Sequence, residues 1–297
     1  MSQRGMKWIV GLDLRRQSQG AIKFGAWLAR TSQADGGEHV VGIHVLEEAH
    51  LRAALRYHHL QELVDGAREA AEGVVTRVGA EDQVDEIHIV QGGTAERSLE
   101  AARIYHHADA IIIGRYATRE AKSVLRLGRV ARRTVRRLAM PVVVVPPDHD
   151  PEAVQAGPVI ASVSLTDESD AAVVFAANMA ERLQRPLVLA HVVSRPEDYG
   201  AHYLPEASLE RIGREHQEEG ERALADWAAE RGYRDAERVV VQGGVIDRLV
   251  ELSESRKACL VVTGSRLLST FERMLLTSVG SELAASAPCP VGIVPPK

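Results

Sequence analysis

Short apolar runs alternate along the chain with longer segments in which apolar residues recur every three or four positions. The short runs are apolar on successive residues, which is typical of strands buried on both faces of a parallel sheet. The longer segments have the period of helices that cover such a sheet. Because parallel strands are joined by right-handed crossovers, the pattern predicts an α/β fold with doubly wound, five-stranded parallel sheets.

The strands are predicted at 8–13, 39–46, 85–91, 109–113 and 141–145, then at 158–164, 186–193, 237–242, 258–263 and 290–294. The helices of the first half are predicted at 17–32, 50–78, 95–107 and 124–138.

The same pattern occurs twice. The run Gln91-Gly92-Gly93 returns about 150 residues later as Gln242-Gly243-Gly244, and PVVVVPP returns as PVGIVPP. Landmarks in one order at one spacing indicate a duplicated globular domain, because solenoid repeats are far shorter. We therefore predict two tandem domains, 1–147 and 158–297, joined by a linker at 148–157 that is rich in proline and acids and has little to pack.

Composition bounds the class of protein. A chain of 297 residues suits two ordinary domains. Its 45% apolar and 4% aromatic content is typical of aliphatic α/β proteins. No apolar run approaches the ~20 residues of a membrane span, and the polar start leads into a strand instead of the apolar segment of a signal peptide. We expect a cytoplasmic protein.

Charge is shared unevenly between the copies. Residues 1–148 carry 21 Lys+Arg against 18 Asp+Glu, a net +3, which leaves 15 against 23, a net −8, for the remainder. This distribution argues against a uniformly basic nucleic-acid-binding protein.

The ends of the strands carry the candidate chemistry. In a doubly wound sheet, ligands bind beyond the carboxyl ends of the strands, where the strand order reverses. In the first copy these positions hold Asp13, His44, Gly92 and Gly114. Asp13 could hold a ribose hydroxyl or an adenine amino group, and the loop from Gly114 to Gly128 could present backbone amides to phosphates. Glycine after a strand is also ordinary turn chemistry.

These residues carry a family resemblance. The strand-end Asp13 in VGLDLRRQSQGAIKFGAWLA, the His-Val pair in strand two and the glycine turn after strand three resemble the universal stress protein family. So does the closing block ACLVVTGSRLLSTFERMLLTSVGSELAASAPCPVGIVPP, and the resemblance covers essentially the whole chain as a tandem member. It implies a cytoplasmic stress-response protein that binds nucleotides or regulates partners, is often dimeric through its last strand and has no agreed chemical reaction.

The family's ATP-binding members carry G-x2-G-x9-G-[S/T] after strand four, together with the strand-one Asp. The first copy keeps Asp13 and Gly114 but has Ala117 as the second glycine, Gly128 one residue late and Arg129 in place of the hydroxyl residue. ATP or AMP, with Mg²⁺ accompanying ATP, is the expected ligand. The candidate residues of this copy are Asp13, Leu14, His44, Gly92, Gly114, Arg115, Ala117, Gly128, Arg129 and Val130.

The second copy departs further from the motif. It has Ser164 where the first copy has Asp13, and Leu267 and Thr277 stand where the second and third glycines belong. Leu267 would place a branched side chain where phosphate approaches the backbone. We expect this copy to be degenerate for triphosphate binding. Its remaining candidate residues are Gly264, Ser265 and Ser278.

A basic segment follows Gly114. Nine arginines and lysines lie between Arg115 and Arg137, against the single acid Glu120. One interpretation is an anion site in which Arg115, Arg126 or Arg129 supplies charge to phosphates. The other, which we favour, is a solvated helix face paired with acids elsewhere. A nucleic-acid-binding patch is weaker, because no stacking aromatic residues accompany it.

Histidines and cysteines have mainly structural interpretations. His44 and His191 occupy matching strand ends, which favours a hydrogen bond to a neighbouring loop over contact with a ligand. The pairs His58-His59 and His106-His107 lack metal-ligand spacing, so no zinc site is expected. The two cysteines, Cys259 and Cys289, are expected to be buried thiols.

Function is then predicted as that of a regulatory nucleotide-binding protein. No nucleophile–base pair can be assembled from the strand ends, so catalytic residues are not expected. The alternatives are a slow metal-dependent ATPase or nucleotidyl-transfer enzyme, and a scaffold that binds a partner but no nucleotide. The last strands, PVVVV and PVGIV, are expected to pair antiparallel within the chain, with further homodimerisation possible.

Overall fold

The computed structural model describes residues 4–15, 18–56, 58–116, 127–136, 140–154, 156–196, 203–265 and 279–296. The chain divides into two compact units: residues 1–155 with 182–184, and residues 156–181 with 185–297.

The first unit is built on a five-stranded parallel sheet. Its strands lie in the order β3-β2-β1-β4-β5, and every pair of neighbours is parallel. A short 3₁₀ turn, Pro151–Val154, follows the last strand. In chain order the elements are β1 (Lys7–Gly11), α1 (Gln19–Thr31), β2 (His39–Leu46), α2 (Glu48–Arg56), α3 (Leu60–Arg77), β3 (Glu86–Gln91), α4 (Ala95–His106), β4 (Ala110–Gly114), α5 (Arg129–Arg136) and β5 (Val142–Val145).

The second unit repeats this arrangement, with strand order β8-β7-β6-β9-β10 and parallel pairing. The predicted fold class, two tandem doubly wound α/β sheets, is therefore confirmed. The elements are β6 (Val159–Ser162), a 3₁₀ turn (Asp167–Ser169), α6 (Asp170–Leu183), β7 (Leu187–Val193), α7 (Glu206–Glu230), β8 (Glu237–Gln242), α8 (Val245–Ser255), β9 (Leu260–Gly264), α9 (Val279–Ser286) and β10 (Val291–Val294).

Burial explains why the strands read as continuous apolar runs. Central strands are covered on both faces, so Trp8, Ile9, Ile111 and Ile112 are at most 1% exposed. The edge strand β3 is only half-buried, and its sequence is accordingly mixed. The burial of each strand therefore follows its central or edge position in the sheet.

Two predicted helices differ from the structure. The segment 50–78 forms two helices, because His58 adopts a left-handed backbone (φ 59°) between them. Apolar periodicity continues across the break, so the pattern alone predicts one helix. Among the described residues, the helix predicted at 124–138 begins only at Arg129, where the Arg132 amide donates to the Gly128 carbonyl over 3.0 Å.

The segment predicted as a loosely packed linker is partly buried. His149 is 7% exposed and packs edge-on against Phe24, with 5.9 Å between the ring centroids. Arg30 donates to Glu152 over 2.9 Å, so the segment is also held to α1 by an ion pair. The expectation that this segment has little to pack is wrong for these residues.

Within the described residues, no helix is long and apolar enough to cross a membrane.

Candidate functional site

The strand order of the first unit reverses between β1 and β4. Strands β2 and β3 lie on one side of β1, and β4 and β5 lie on the other. Val10 pairs with Ile112, so Asp13 and Arg115 each lie three residues beyond a paired position, at the same edge of the sheet. Such a reversal is where doubly wound folds open a crevice for ligands.

Asp13 presents its carboxylate to solvent. The side chain is 56% exposed, its Oδ1 accepts the Arg15 amide over 3.3 Å, and Arg15 Nε lies 3.8 Å away. Beneath it, the buried Ser18 hydroxyl donates to the Asp13 carbonyl and lies 3.1 Å from the Arg15 carbonyl. The Ser18 hydroxyl thus holds the carbonyl groups of Asp13 and Arg15, while the Asp13 carboxylate keeps free acceptor capacity.

His44 holds the backbone that leads to Asp13. Its Nδ1 lies 2.8 Å from the Leu12 carbonyl oxygen, and since a carbonyl only accepts, Nδ1 carries the proton. In the second unit, His191 Nδ1 lies 2.8 Å from the Val163 carbonyl oxygen in the same way. The predicted shared structural hydrogen bond is therefore confirmed.

Gly92 closes the turn after β3. Its φ is +91°, which favours glycine, and its amide donates to the Leu46 carbonyl over 3.0 Å. Its carbonyl accepts the Ser98 hydroxyl over 3.0 Å. Gly243, at the matching position of the second unit, also has a positive φ, of +138°. Both copies thus keep a positive φ at the first glycine of this turn, whereas the second glycine differs, with φ +73° at Gly93 and −67° at Gly244.

The two described ends of the loop after β4 meet. A Cβ placed on Gly128 would lie 3.2 Å from Tyr116 Cβ, which brings the start of α5 next to the end of β4. Gly114 ends β4, and the Arg115 amide donates to the Val145 carbonyl over 3.0 Å. Backbone amides of the first helical turn, which includes Arg129 and Val130, have no acceptor within their own helix. Ala117 lies outside the described residues.

The arginines of this region are engaged with the protein itself. The Arg115 side chain is only 1% exposed. Arg129 lies 3.2 Å from Glu47, and Arg133 lies 3.4 Å from the buried Glu96. The interpretation as a helix face paired with acids holds for Arg129 and Arg133. Arg119, Lys122, Arg126 and Arg137 lie outside the described residues.

An open cavity of about 490 Å³ lies between the start of α4 and the last turn of α5. Three arginines face a single glutamate there, which favours an anionic occupant. Sequence reasoning named neither Thr94 nor Arg97 as candidates. Their position directly after the Gly92-Gly93 turn, at the start of a helix, was the available signal. The lining residues are Thr94, Glu96, Arg97, Arg133 and Arg136.

The second unit fills the position of Asp13 with hydroxyl groups. Ser164 Oγ lies 2.9 Å from Thr166 Oγ1 and 2.8 Å from Ser169 Oγ, so the three hydroxyls bond to one another. Main-chain geometry is retained, because the Ser265 amide donates to the Val294 carbonyl over 2.8 Å, as Arg115 does to Val145. A Cβ on Gly264 would lie 2.8 Å from the Glu168 carbonyl oxygen, so that position is closely packed. Leu267, Thr277 and Ser278 lie outside the described residues.

The cysteines are buried, as predicted. Cys259 and Cys289 are 1% and 5% exposed. Burial raises the pKa of the Cys259 thiol to about 12, and its Sγ lies 3.4 Å from the Pro158 carbonyl oxygen. A thiol in this environment is a packing group and not a nucleophile.

Comparison with known proteins gives one consistent family. The model of the universal stress protein family matches residues 6–146 and again residues 157–295. Universal stress protein YxiE of Bacillus subtilis (strain 168) is 29% identical over 143 residues, which is 46% of this chain and 96% of that protein.

Solved structures resemble the chain over nearly its whole length. A universal stress protein from Archaeoglobus fulgidus matches with a TM-score of 0.70 and 17% identity, covering 98% of both chains. A Pseudomonas aeruginosa UCBPP-PA14 protein named for the same family matches with a TM-score of 0.59 and 14% identity, covering 99% of this chain and 94% of that one. At these identities the likeness shows the fold. With two matches to the family model that together span nearly the whole chain, this protein belongs to the universal stress protein family, as a tandem member with two copies of the domain.

Proposed function

We propose that this protein is a stress-response regulator whose first domain binds an adenine nucleotide, ATP or AMP, at the reversal of strand order between β1 and β4. The second domain serves as a degenerate partner that binds no triphosphate in the family manner. Mg²⁺ would accompany the phosphates of ATP. No side-chain nucleophile takes part in this function.

The observation that carries the proposal is the position of Asp13. Its exposed carboxylate lies level with Arg115 at the edge where a doubly wound sheet receives a ligand. A carboxylate with free acceptor capacity suits a ribose hydroxyl or an adenine amino group, which both donate hydrogen bonds. The hydrogen bond from His44 to the Leu12 carbonyl fixes the backbone directly before Asp13. The position of the Asp13 carboxylate is therefore constrained before a ligand binds.

Charge and backbone amides at the same edge suit the phosphates. Gly128 contacts Tyr116 and directly precedes α5, whose first amides and positive dipole end favour an anion. A cavity between the start of α4 and the last turn of α5 is lined by Arg97, Arg133 and Arg136, of which Arg133 pairs with Glu96 at 3.4 Å. Arg129 is held by Glu47 at 3.2 Å. It would have to exchange that carboxylate for phosphate, which is consistent with weak binding.

The second domain lacks the charged acceptor. The Ser164 hydroxyl hydrogen-bonds with the hydroxyls of Thr166 and Ser169. A neutral hydroxyl is also a weaker acceptor than a carboxylate. One nucleotide per chain is therefore expected.

Antiparallel pairing of the last strands, homodimerisation and a cytoplasmic location belong to the same proposal.

The test begins with the nucleotide content of the purified protein after denaturation, followed by calorimetry with ATP, ADP and AMP, with and without Mg²⁺. Asp13→Ala removes a charge-assisted hydrogen bond worth about 1.5–3 kcal/mol, so affinity should fall about 10- to 150-fold. Ser164→Ala, the matching change in the second domain, should leave affinity and stoichiometry unchanged.

The absence of any nucleotide in the purified protein, together with no heat for all three nucleotides, would contradict the proposal and favour a scaffold. Equal losses in Asp13→Ala and Ser164→Ala would contradict the assignment to the first domain. Turnover of ATP that requires Mg²⁺ and disappears in Asp13→Ala would instead identify a slow ATPase.

A further inference from the structure

Two imidazoles and one carboxylate meet on the outer edge of the first domain, away from the nucleotide site proposed above. Glu86 and His88 lie on the edge strand β3, and His106 is the last residue of α4. One potential ligand atom from each residue lies within 4.8 Å of the other two. The sequence indicated no such group, because His106 is 18 residues from His88 and no metal-binding spacing joins them.

The contacts within this cluster are close. His88 Nε2 lies 2.6 Å from Glu86 Oε2, and the rings of His88 and His106 have centroids 4.7 Å apart at an angle of 48°. The Tyr105 ring packs edge-on against His106 at 4.9 Å and limits its orientation. The three ligands are therefore gathered on one face before any ion arrives, at the side-chain exposures of 40% for His88 and 56% for Glu86.

At the matching position, the second domain has an ion pair in place of this cluster. Glu237 and Val239 occupy the positions of Glu86 and His88 on the matching edge strand. Arg256 matches His106, since each is followed by a left-handed residue, Lys257 (φ 49°) or His107 (φ 52°). Arg256 pairs directly with Glu237 at 2.7 Å. The permanent cation that neutralises this glutamate is thus replaced in the first domain by two imidazoles.

We propose that Glu86, His88 and His106 form a binding site for a divalent transition-metal cation of the zinc type. Two imidazole nitrogens and one carboxylate oxygen are a donor set that suits Zn²⁺, Cu²⁺ or Ni²⁺, whereas Mg²⁺ and Ca²⁺ prefer oxygen ligands throughout. Zinc–ligand bonds of about 2.0–2.1 Å place tetrahedral ligand atoms about 3.3 Å apart. The present spacing of up to 4.8 Å therefore needs only side-chain rotation.

The surrounding charges are compatible with a cation. The Glu86 carboxylate supplies one negative charge to the cluster, and a neutral imidazole is the form in which His88 and His106 would bind a metal. The Lys7 ammonium opposes the ion, and the Glu86 carboxylate offsets it. The fourth position of the metal would be left to water.

The test uses the full chain without a histidine tag, stripped of metal by a chelator, and calorimetric titration with Zn²⁺ and separately with Mg²⁺. We expect one Zn²⁺ per chain and no Mg²⁺ binding at the same concentrations. His106→Arg and His88→Val install the residues of the second domain. Each should weaken Zn²⁺ binding by at least about tenfold. Mutation of a residue that only hydrogen-bonds to a metal ligand already lowers metal affinity about 10- to 100-fold, and these variants remove a ligand itself.

The control is the double variant His58→Gln/His59→Gln, which removes two histidines and the His59–Glu62 pair of 3.0 Å but leaves the cluster intact. It should bind Zn²⁺ as the parent does. Far-ultraviolet circular dichroism checks that every variant is folded. Co²⁺ substitution should give the visible absorption of a four-coordinate site, which is lost in His106→Arg.

Zn²⁺ binding that survives both cluster substitutions, or that the control loses equally, overturns the proposal. So does the absence of measurable Zn²⁺ binding by the parent protein, which leaves Glu86–His88 as a hydrogen bond alone. Asp13→Ala should not change Zn²⁺ binding, so failure of the nucleotide proposal and failure of this one are distinguishable.

Discussion

His44 Nδ1 lies 2.8 Å from the carbonyl oxygen of Leu12, the residue directly before Asp13. The second unit repeats this bond between His191 and Val163 at the same distance. The duplicated bond joins the second strand of each sheet to the end of the first strand. It is therefore part of the scaffold in both domains, and in the first it also positions the proposed ligand-binding acid.

This relationship predicts different outcomes for two matched substitutions. His44→Ala and His191→Ala each leave a partly buried carbonyl without its donor, which should destabilise the protein by about 1–3 kcal/mol. His44→Ala should in addition weaken nucleotide binding, because the backbone before Asp13 is released. Urea unfolding and calorimetry with ATP measure the two effects. Equal nucleotide affinities for the two variants would contradict the positioning role of His44.

Two helical glycines should respond oppositely to alanine. A Cβ on Gly20 in α1 would clash with the Pro146 carbonyl oxygen, so Gly20→Ala forces the backbone apart and should cost about 1–3 kcal/mol. Gly73 in α3 has no heavy atom within 4 Å of such a Cβ. Gly73→Ala should stabilise the protein by about 0.5–1 kcal/mol, since alanine is the better helix former. Thermal unfolding of the two variants decides the sign of each change.

The buried His149 predicts acid sensitivity. Burial lowers its pKa to about 4 from its ordinary value of 6.5. Below pH 6.5 this histidine binds a proton in the unfolded chain, whereas in the folded protein it stays neutral until the pH approaches 4. The stability contributed by this group is therefore complete above pH 6.5 and is lost as pH falls towards 4, by about 2 kcal/mol at pH 5.

Urea unfolding of the parent and of His149→Gln at pH 7 and pH 5 checks this contribution. The substitution should reduce the loss of stability between the two pH values by about 2 kcal/mol. His59→Gln, at an exposed histidine, should leave the loss unchanged. Identical pH dependence in the parent and in His149→Gln would show that His149 is protonated without unfolding.

Native thiols should be unreactive. With a pKa of about 12, Cys259 has roughly one thiolate in 10,000 molecules at pH 8, and Cys289 is 5% exposed. A thiol-specific colorimetric reagent should therefore label neither residue until denaturant is added. Ser255→Cys, at an exposed position in the last turn of α8, serves as the positive control and should react at once. Rapid labelling of the unsubstituted native protein would contradict the buried placement of both thiols.

Much of the fold could be predicted from residues that are close in sequence. Strand 39–46 was predicted with the bounds that the structure has, because its buried centre demands consecutive apolar residues. The edge strand 237–242 also has its predicted bounds, although it is only half-buried. The left-handed turn at His58 was missed, since a break of one residue leaves the helical periodicity on both sides intact. The burial of His149 was missed because a polar, proline-rich segment carries no local signal of the surface it packs on.

The candidate nucleotide site was predictable to the extent that it follows from strand ends. Parallel strands place their carboxyl ends at one edge, so Asp13, Gly92 and Gly114 could be grouped without coordinates. The pairing of Arg129 with Glu47 could not, because it joins residues 82 positions apart through long side chains. The arginine-lined cavity beside α4 depends in the same way on how two helices pack.

The sequence by itself determined the duplication, the parallel α/β class and the divergence of the two copies at Asp13 and Ser164. Each of these follows from residue identities and from patterns that can be compared directly along the chain. Only the tertiary structure decided that three hydroxyls replace the lost carboxylate, and that Glu86, His88 and His106 share one face where the second domain has an ion pair. Those contacts depend on the packing of a helix end against an edge strand and of one turn against another, and no local pattern in the chain encodes such distances.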